Sequence, residues 1–216
     1  MLWNTGCLFL HIPKTAGKSL TKALALSLPR PTWGLISRGQ LQELSDIPAD
    51  NLHLIEGRGH ENLTHAAKYL KAQYGIELES FKAIVVAVRN PYDLMVSNYF
   101  FMRRTYKNNQ EKRNFRIAND NSFEDFSEKV DFQNVEKWIT LDGKRPTQLF
   151  MLRFENLQAD YNKLMGLLNL PETELPHLNA SEHEHYSKYL TTRSEEAIYA
   201  KFRYLFDSGL YEREGG

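Results

Sequence analysis

Two stretches of this chain carry residues of the types, and at the spacings, that hold anions. The first is Phe9-Leu10-His11-Ile12-Pro13-Lys14-Thr15-Ala16-Gly17-Lys18-Ser19, an apolar run that breaks into a Pro/Lys/Gly turn and then opens an amphipathic pattern. Backbone N–H groups of such a turn converge with a helix N-terminus, and Lys14, Thr15, Lys18 and Ser19 add side-chain donors. The second is the apolar run 83–88, followed by Arg89 and by a helix pattern that starts after Pro91 and presents Ser97 two turns in. Arg89 and Ser97 together suit a second phosphate. The competing uses are plainer: an Arg89 ion pair with Asp93 or Glu56, a helix-surface hydroxyl at Ser97, a solvated Lys14. Two anion sites at two strand ends predict a doubly phosphorylated nucleotide.

A group-transfer reaction onto a hydroxyl also needs a base that titrates near neutrality. Leu54-Ile55-Glu56-Gly57-Arg58-Gly59-His60-Glu61 places Glu56 and His60 at a strand's carboxyl end, with His65 shortly after. His60 is the first candidate, with Glu56 and His65 as alternatives. His11 and His53 lie within strand patterns and read as core residues. A Walker A loop is excluded, because it requires Gly where Ile12 stands, and no strand ends in a Mg²⁺-holding Asp. A zinc site on His60, Glu61 and His65 fails as well, since positions i and i+5 point about 140° apart on a helix. His177, His183 and His185 have no partner set of metal-ligand type and read as a solvated loop.

The elements that position these residues follow from periodicity. Strand-length apolar runs recur at 7–11, 52–55, 83–88 and 148–154, with helical patterns between them. Leu20, Ala23, Leu24 and Leu28 share one face of a first helix; Ala66, Ala67, Leu70 and Tyr74 share one face of a second that ends at Gly75. Alternation of strands and helices implies a parallel sheet covered on both faces, with ligands beyond the strands' carboxyl ends. Residues 29–50 and 106–122 read as loops. With 216 residues, 42% of them hydrophobic, the chain predicts one domain over 1–216. Lys+Arg and Asp+Glu balance at 27 each, so no global field favours nucleic acid. Basic charge is local: Arg103 to Arg116 holds six Lys/Arg against one acid, a plain solvated face or a dock for an anionic acceptor. A single cysteine, Cys7, and the lack of a signal-like leader or membrane span predict a cytoplasmic setting. Oligomeric state is not encoded in any of these patterns.

At the two anion motifs the chain resembles the sulfotransferase superfamily that uses 3′-phosphoadenosine 5′-phosphosulfate (PAPS). The resemblance extends over Trp138 to Leu157, Leu175 to Tyr189 and the closing helix to Tyr211, and it is nearest to soluble bacterial relatives of the carbohydrate-type enzymes. It implies a three-layer P-loop-like α/β fold with a central parallel sheet and PAPS as donor without metal. It further implies that Lys14, Thr15, Ala16, Gly17, Lys18 and Ser19 hold the 5′-phosphosulfate and Arg89 and Ser97 the 3′-phosphate. Lys14 stands at the family's catalytic lysine, and Gly59-His60 is similar to the His-bearing turn of the carbohydrate-type enzymes. Leu94 departs from the family, which often carries Arg there. Residues 28–50 and 103–135 match nothing recognisable. The implied acceptor is a hydroxyl on a carbohydrate or glycan-like molecule; the alternatives are a P-loop nucleoside or nucleotide kinase and a catalytically dead nucleotide-binding module.

Overall fold

Asn4 turns the chain back on itself before any helix forms. Its Oδ1 accepts the N–H groups of Gly6 at 2.9 Å and Cys7 at 2.8 Å. The link between β1 (Leu2–Trp3) and β2 (Cys7–Leu10) is therefore a hairpin, too short for a parallel crossover, and the two strands pair antiparallel. The computed structural model describes residues 1–48, 50, 52–105, 107, 111–132, 135–176 and 183–214. These contain four further strands, β3 (Thr32–Ile36), β4 (Leu52–Glu56), β5 (Ala83–Val88) and β6 (Leu149–Arg153). The sheet order is β4-β3-β1-β2-β5-β6. All neighbours are parallel except at β1, which runs against both β2 and β3. The expected parallel sheet is thus a mixed one, because a hairpin strand has been inserted at its middle.

The described residues group into two compact units. The first, Met1–Val88 with Glu136–Leu178, contains the sheet and five helices: α1 (Gly17–Ser27), α2 (Arg38–Glu43), α3 (Leu63–Tyr74), α7 (Glu136–Ile139) and α8 (Leu157–Leu168). Successive strand residues face opposite sides. Leu2, Cys7, Phe9, Ala83, Val85, Ala87 and Leu152 form one face and bury Leu20, Ala23 and Leu24 of α1 with Tyr161, Leu164 and Met165 of α8. Trp3 points the other way, its ring against Tyr69 and Tyr74 of α3. Gly75 ends α3 in the left-handed conformation, where the sequence places the stop.

Residues 29–50 are not a plain loop. They supply β3 and α2; Leu35 and Ile36 of β3 are buried, as are Leu44 and Ile47 just after α2. Gly34 lets β3 sit between Leu54 and Leu2, since a Cβ there would lie 2.9 Å from the Leu54 side chain. His53 is likewise not a core residue: β4 is the sheet's edge, and the exposed imidazole stacks on Trp33 with ring centroids 5.6 Å apart.

The second unit, Arg89–Val135 with Asn179–Gly216, holds α4 (Pro91–Thr105), α5 (Arg113–Asn119), α6 (Phe123–Lys129) and α9 (Thr192–Asp207). α5 occupies part of the stretch read as a loop over 106–122. Arg193 at the start of α9 reaches Glu124, Asp125 and Glu128 of α6. Among the described residues, no helix is long and apolar enough to cross a membrane.

Leu24 has no exposed surface in the face shared by α1, α8 and the sheet. Leu24→Ala is expected to lower the unfolding free energy by about 2–5 kcal/mol, as the cavity is only partly filled by relaxation. Urea denaturation at neutral pH measures it. A loss below about 1 kcal/mol would show that this face is not closely packed.

Candidate functional site

The turn between β2 and α1 is held in a conformation most side chains avoid. Lys14 has φ 67° and Ala16 φ 60°, both left-handed and neither a glycine. Such residues each store about 1–3 kcal/mol and persist where the surroundings over-determine them. Here Thr15 Oγ1, buried, donates to Ile12 O at 2.9 Å and fixes the turn from inside. Gly17 then opens α1 at a point with no room for a side chain: a Cβ there would lie 1.7 Å from the His11 ring. Ser19 is buried in the first turn, and Thr21 Oγ1 donates to Gly17 O at 2.6 Å. The Lys18 ammonium is exposed and ion-paired with Glu43 of α2.

His11 is the hub beneath this turn. Gln40 Oε1 accepts the N–H of Ser37 at 3.1 Å and its hydroxyl at 3.0 Å, so the amide's NH₂ end faces His11 Nδ1, 2.9 Å away. Nδ1 must therefore accept, which leaves His11 neutral with its proton on Nε2. Burial first, then the charges of His60 and Lys18, push its pKa well below the ordinary 6.5. The carbonyl of His11 in turn receives His60 Nδ1 at 3.0 Å, and the two rings meet edge-on with centroids 4.6 Å apart. A carbonyl only accepts, so His60 carries its proton on Nδ1 and, when neutral, keeps a basic Nε2. Gly59, at φ 78°, carries His60 across α2: a Cβ there would lie 2.6 Å from Gln40 Oε1.

The sequence candidates separate on these contacts. Lys14, Thr15, Ala16, Gly17, Lys18 and Ser19 form the β2–α1 turn and the first turn of α1, and His60, itself exposed, is tied by Nδ1 to the carbonyl of His11. Glu56 ends β4 exposed, and His65 is exposed in the first turn of α3, its N–H capped by Asn62. Gln40 was not singled out by sequence; its signal was the Ser37-x-x-Gln40 spacing of a capping box.

In the second unit, Arg89 is buried, its Nε 2.8 Å and Nη2 2.7 Å from Asp93 Oδ2. That is one of the two ion pairs weighed for it. Asn90 Oδ1 accepts the N–H of Tyr92 at 2.9 Å and starts α4, on which Ser97 is buried. Behind that first turn, Tyr92 donates its hydroxyl to Glu195 at 2.9 Å, and Arg213 grips the same carboxylate at 2.6 and 2.7 Å, holding it below the usual carboxylate range. Of the three histidines read as a solvated loop, His177 lies outside the described residues and His185 is exposed. His183 departs from that reading, with a side chain only 6% exposed.

The profile of the sulfotransferase family matches residues 4–210. The solved structure of mouse sulfotransferase SULT7A1 complexed with PAP superposes with a TM-score of 0.50 at 16% identity, covering 96% of this chain and 86% of the mouse chain. No curated protein matches the chain.

The neutral His11 has a measurable consequence. Below about pH 6.5 the unfolded chain protonates this ring while the folded ring resists, so stability falls as pH falls through that value. Between pH 7.5 and 5.5 the wild type should lose stability to urea, and His11→Gln should lose less over the same interval. An equal slope in the two proteins would mean that the folded ring takes up its proton freely.

Proposed function

The chain belongs to the sulfotransferase family, and on that premise we propose that it moves the sulfuryl group of PAPS to an acceptor hydroxyl. The observation that carries this reading is the left-handed turn from Lys14 to Ala16, which leaves the sheet beside the end of β5 and runs straight into α1. Such a turn aims backbone N–H groups and the positive end of a helix dipole at an anion. We read Lys14, Thr15, Ala16, Gly17, Lys18 and Ser19 as holding the 5′-phosphosulfate, and Arg89 with Ser97 as holding the 3′-phosphate. Lys18 would exchange its exposed ion pair with Glu43, an interaction worth little in water. The family profile spans both units, which favours reading 1–216 as one functional domain.

In the proposed step the acceptor oxygen attacks sulfur in line as the bond from sulfur to the bridging phosphate oxygen breaks. The acceptor's proton passes to His60 Nε2. The Lys14 ammonium faces the negative charge that develops on the leaving oxygen, so its interaction is strongest in the transition state. The tie from His60 Nδ1 to the His11 carbonyl supports this assignment, because it fixes both the tautomer and the direction of the basic nitrogen. Neither Glu56 nor His65 has a comparable side-chain anchor among the described residues. The reaction as read uses no metal.

We assign the acceptor to the carbohydrate class, on the likeness of Gly59-His60 to the His-bearing turn of carbohydrate-type enzymes. Arg103, Arg104, Lys107, Lys112, Arg113 and Arg116 are all exposed and suit a glycan that already bears negative charge. We read the setting as cytoplasmic on the single cysteine, Cys7, which can form no intrachain disulfide.

Calorimetry with adenosine 3′,5′-bisphosphate and AMP tests the donor. The bisphosphate should bind much more tightly, and Arg89→Ala should weaken it by about 2–5 kcal/mol while changing AMP little. Equal affinity for the two nucleotides would remove the 3′-phosphate reading.

Turnover with labelled PAPS and a panel of hydroxylated glycans, without added metal, tests the chemistry. His60→Ala should lower the rate by about 10²–10⁴ and leave nucleotide affinity within a few-fold. Lys14→Ala should lower turnover more than bisphosphate affinity. If His60→Ala stays active while Glu56→Gln or His65→Ala does not, the base is the other residue. Tight bisphosphate binding with no turnover on any acceptor would indicate a dead site.

A further inference from the structure

Asp93, in the first turn of α4, is engaged on both oxygens. Oδ2 receives Arg89, and Oδ1 faces His183 Nε2 at 3.9 Å. The His183 ring is buried against Phe100, stacked with centroids 6.0 Å apart and planes 14° from parallel. Its Nδ1 lies 2.8 Å from the carbonyl of Glu184; a carbonyl only accepts, so Nδ1 carries a proton. Nε2 is buried and has no hydrogen-bond partner among the described residues. A neutral ring leaves this lone pair facing a carboxylate with no donor between them, a mismatch that a proton arriving at Nε2 removes. An imidazolium instead gains an opposite charge.

The charges around Arg89 give this proton a use. Arg89 and Asp93 cancel as a pair, which leaves a neutral group where an anion is to be bound; a protonated His183 restores one positive charge. Of the ionisable residues that follow His183 in the chain, Glu184 pairs with Lys188, and the Tyr186 hydroxyl donates to Glu214 at 2.6 Å. Asp93 is the one at ion-pair distance among the described residues.

We propose that His183 is a positioning residue of the 3′-phosphate subsite: it takes up a proton as the nucleotide binds, balances Asp93, and so frees the charge of Arg89 for the phosphate. This rests on the reading of Arg89 as a 3′-phosphate ligand. The step is a proton transfer from solvent to Nε2, with no bond made or broken elsewhere.

Calorimetric titration of adenosine 3′,5′-bisphosphate in buffers of different ionisation enthalpy counts the protons exchanged. At mildly alkaline pH the wild type should take up as much as about one proton per bisphosphate, and fewer per AMP. His183→Gln should remove that uptake and weaken the bisphosphate about 10-fold or more, with AMP little changed. Asp93→Asn, which removes the charge His183 balances, should also abolish the uptake and serves if His183→Gln proves unstable by thermal melting. A purely structural histidine would alter the melt but not the proton count. Tight bisphosphate binding with no uptake, or with uptake that survives in both variants, overturns the proposal while leaving the 3′-phosphate reading intact. Equal wild-type affinity for bisphosphate and AMP overturns both.

Discussion

The His11 ring lies where a side chain at Gly17 would have to go, and much of the candidate site depends on that contact. With the ring filling the space a Cβ would take, α1 can begin only at a glycine. The two residues flanking Thr15 must then absorb the turn in left-handed conformations. Packing this tight leaves no allowance for a charged imidazole, and burial keeps His11 neutral. Neutrality defines which nitrogen accepts from Gln40, and the backbone carbonyl of the same residue anchors His60. A turn that reads as an anion cradle and a histidine that reads as a base thus share one support.

In the second unit the corresponding constraint is charge. A buried guanidinium needs a partner, and Asp93 supplies it from one helical turn further along the chain. That pairing orients Arg89 but also neutralises it. Tyr92, one residue before Asp93, is fixed from the other side by Glu195 and Arg213. The first turn of α4 is therefore held by residues separated from it by about half the chain, with Asn90 supplying a local cap.

How far each part could be read from the sequence follows from the range of the interaction that specifies it. The run 83–88 is buried along its whole length and appears as an uninterrupted apolar stretch. The faces of α1 and α3 are visible because burial repeats every three to four residues. β1 has two residues and β3 has a glycine at its centre, so neither shows a period, and both form through pairing with strands already in place. The stretch containing α2 is polar enough to resemble a loop; its helix is specified by Ser37 and Gln40 and by Leu44 and Ile47 packing beneath. His53 was misplaced for a related reason: strand propensity carries no information on which strand is the edge.

By itself the sequence determined where the residues read as an anion cradle fall: after two apolar runs, at the opening of helices, with a histidine following a third strand. Those are local properties of turn chemistry and periodicity, and they persist in any arrangement of the strands. Only the tertiary structure decided that β1 runs against its neighbours, that Gln40 selects the tautomer of His11, and that His183 is buried beside Asp93. Each of those depends on side chains brought together from distant segments. Burial, protonation and hydrogen-bond direction are set by what surrounds a group in space, and the linear order of residues does not contain that neighbourhood.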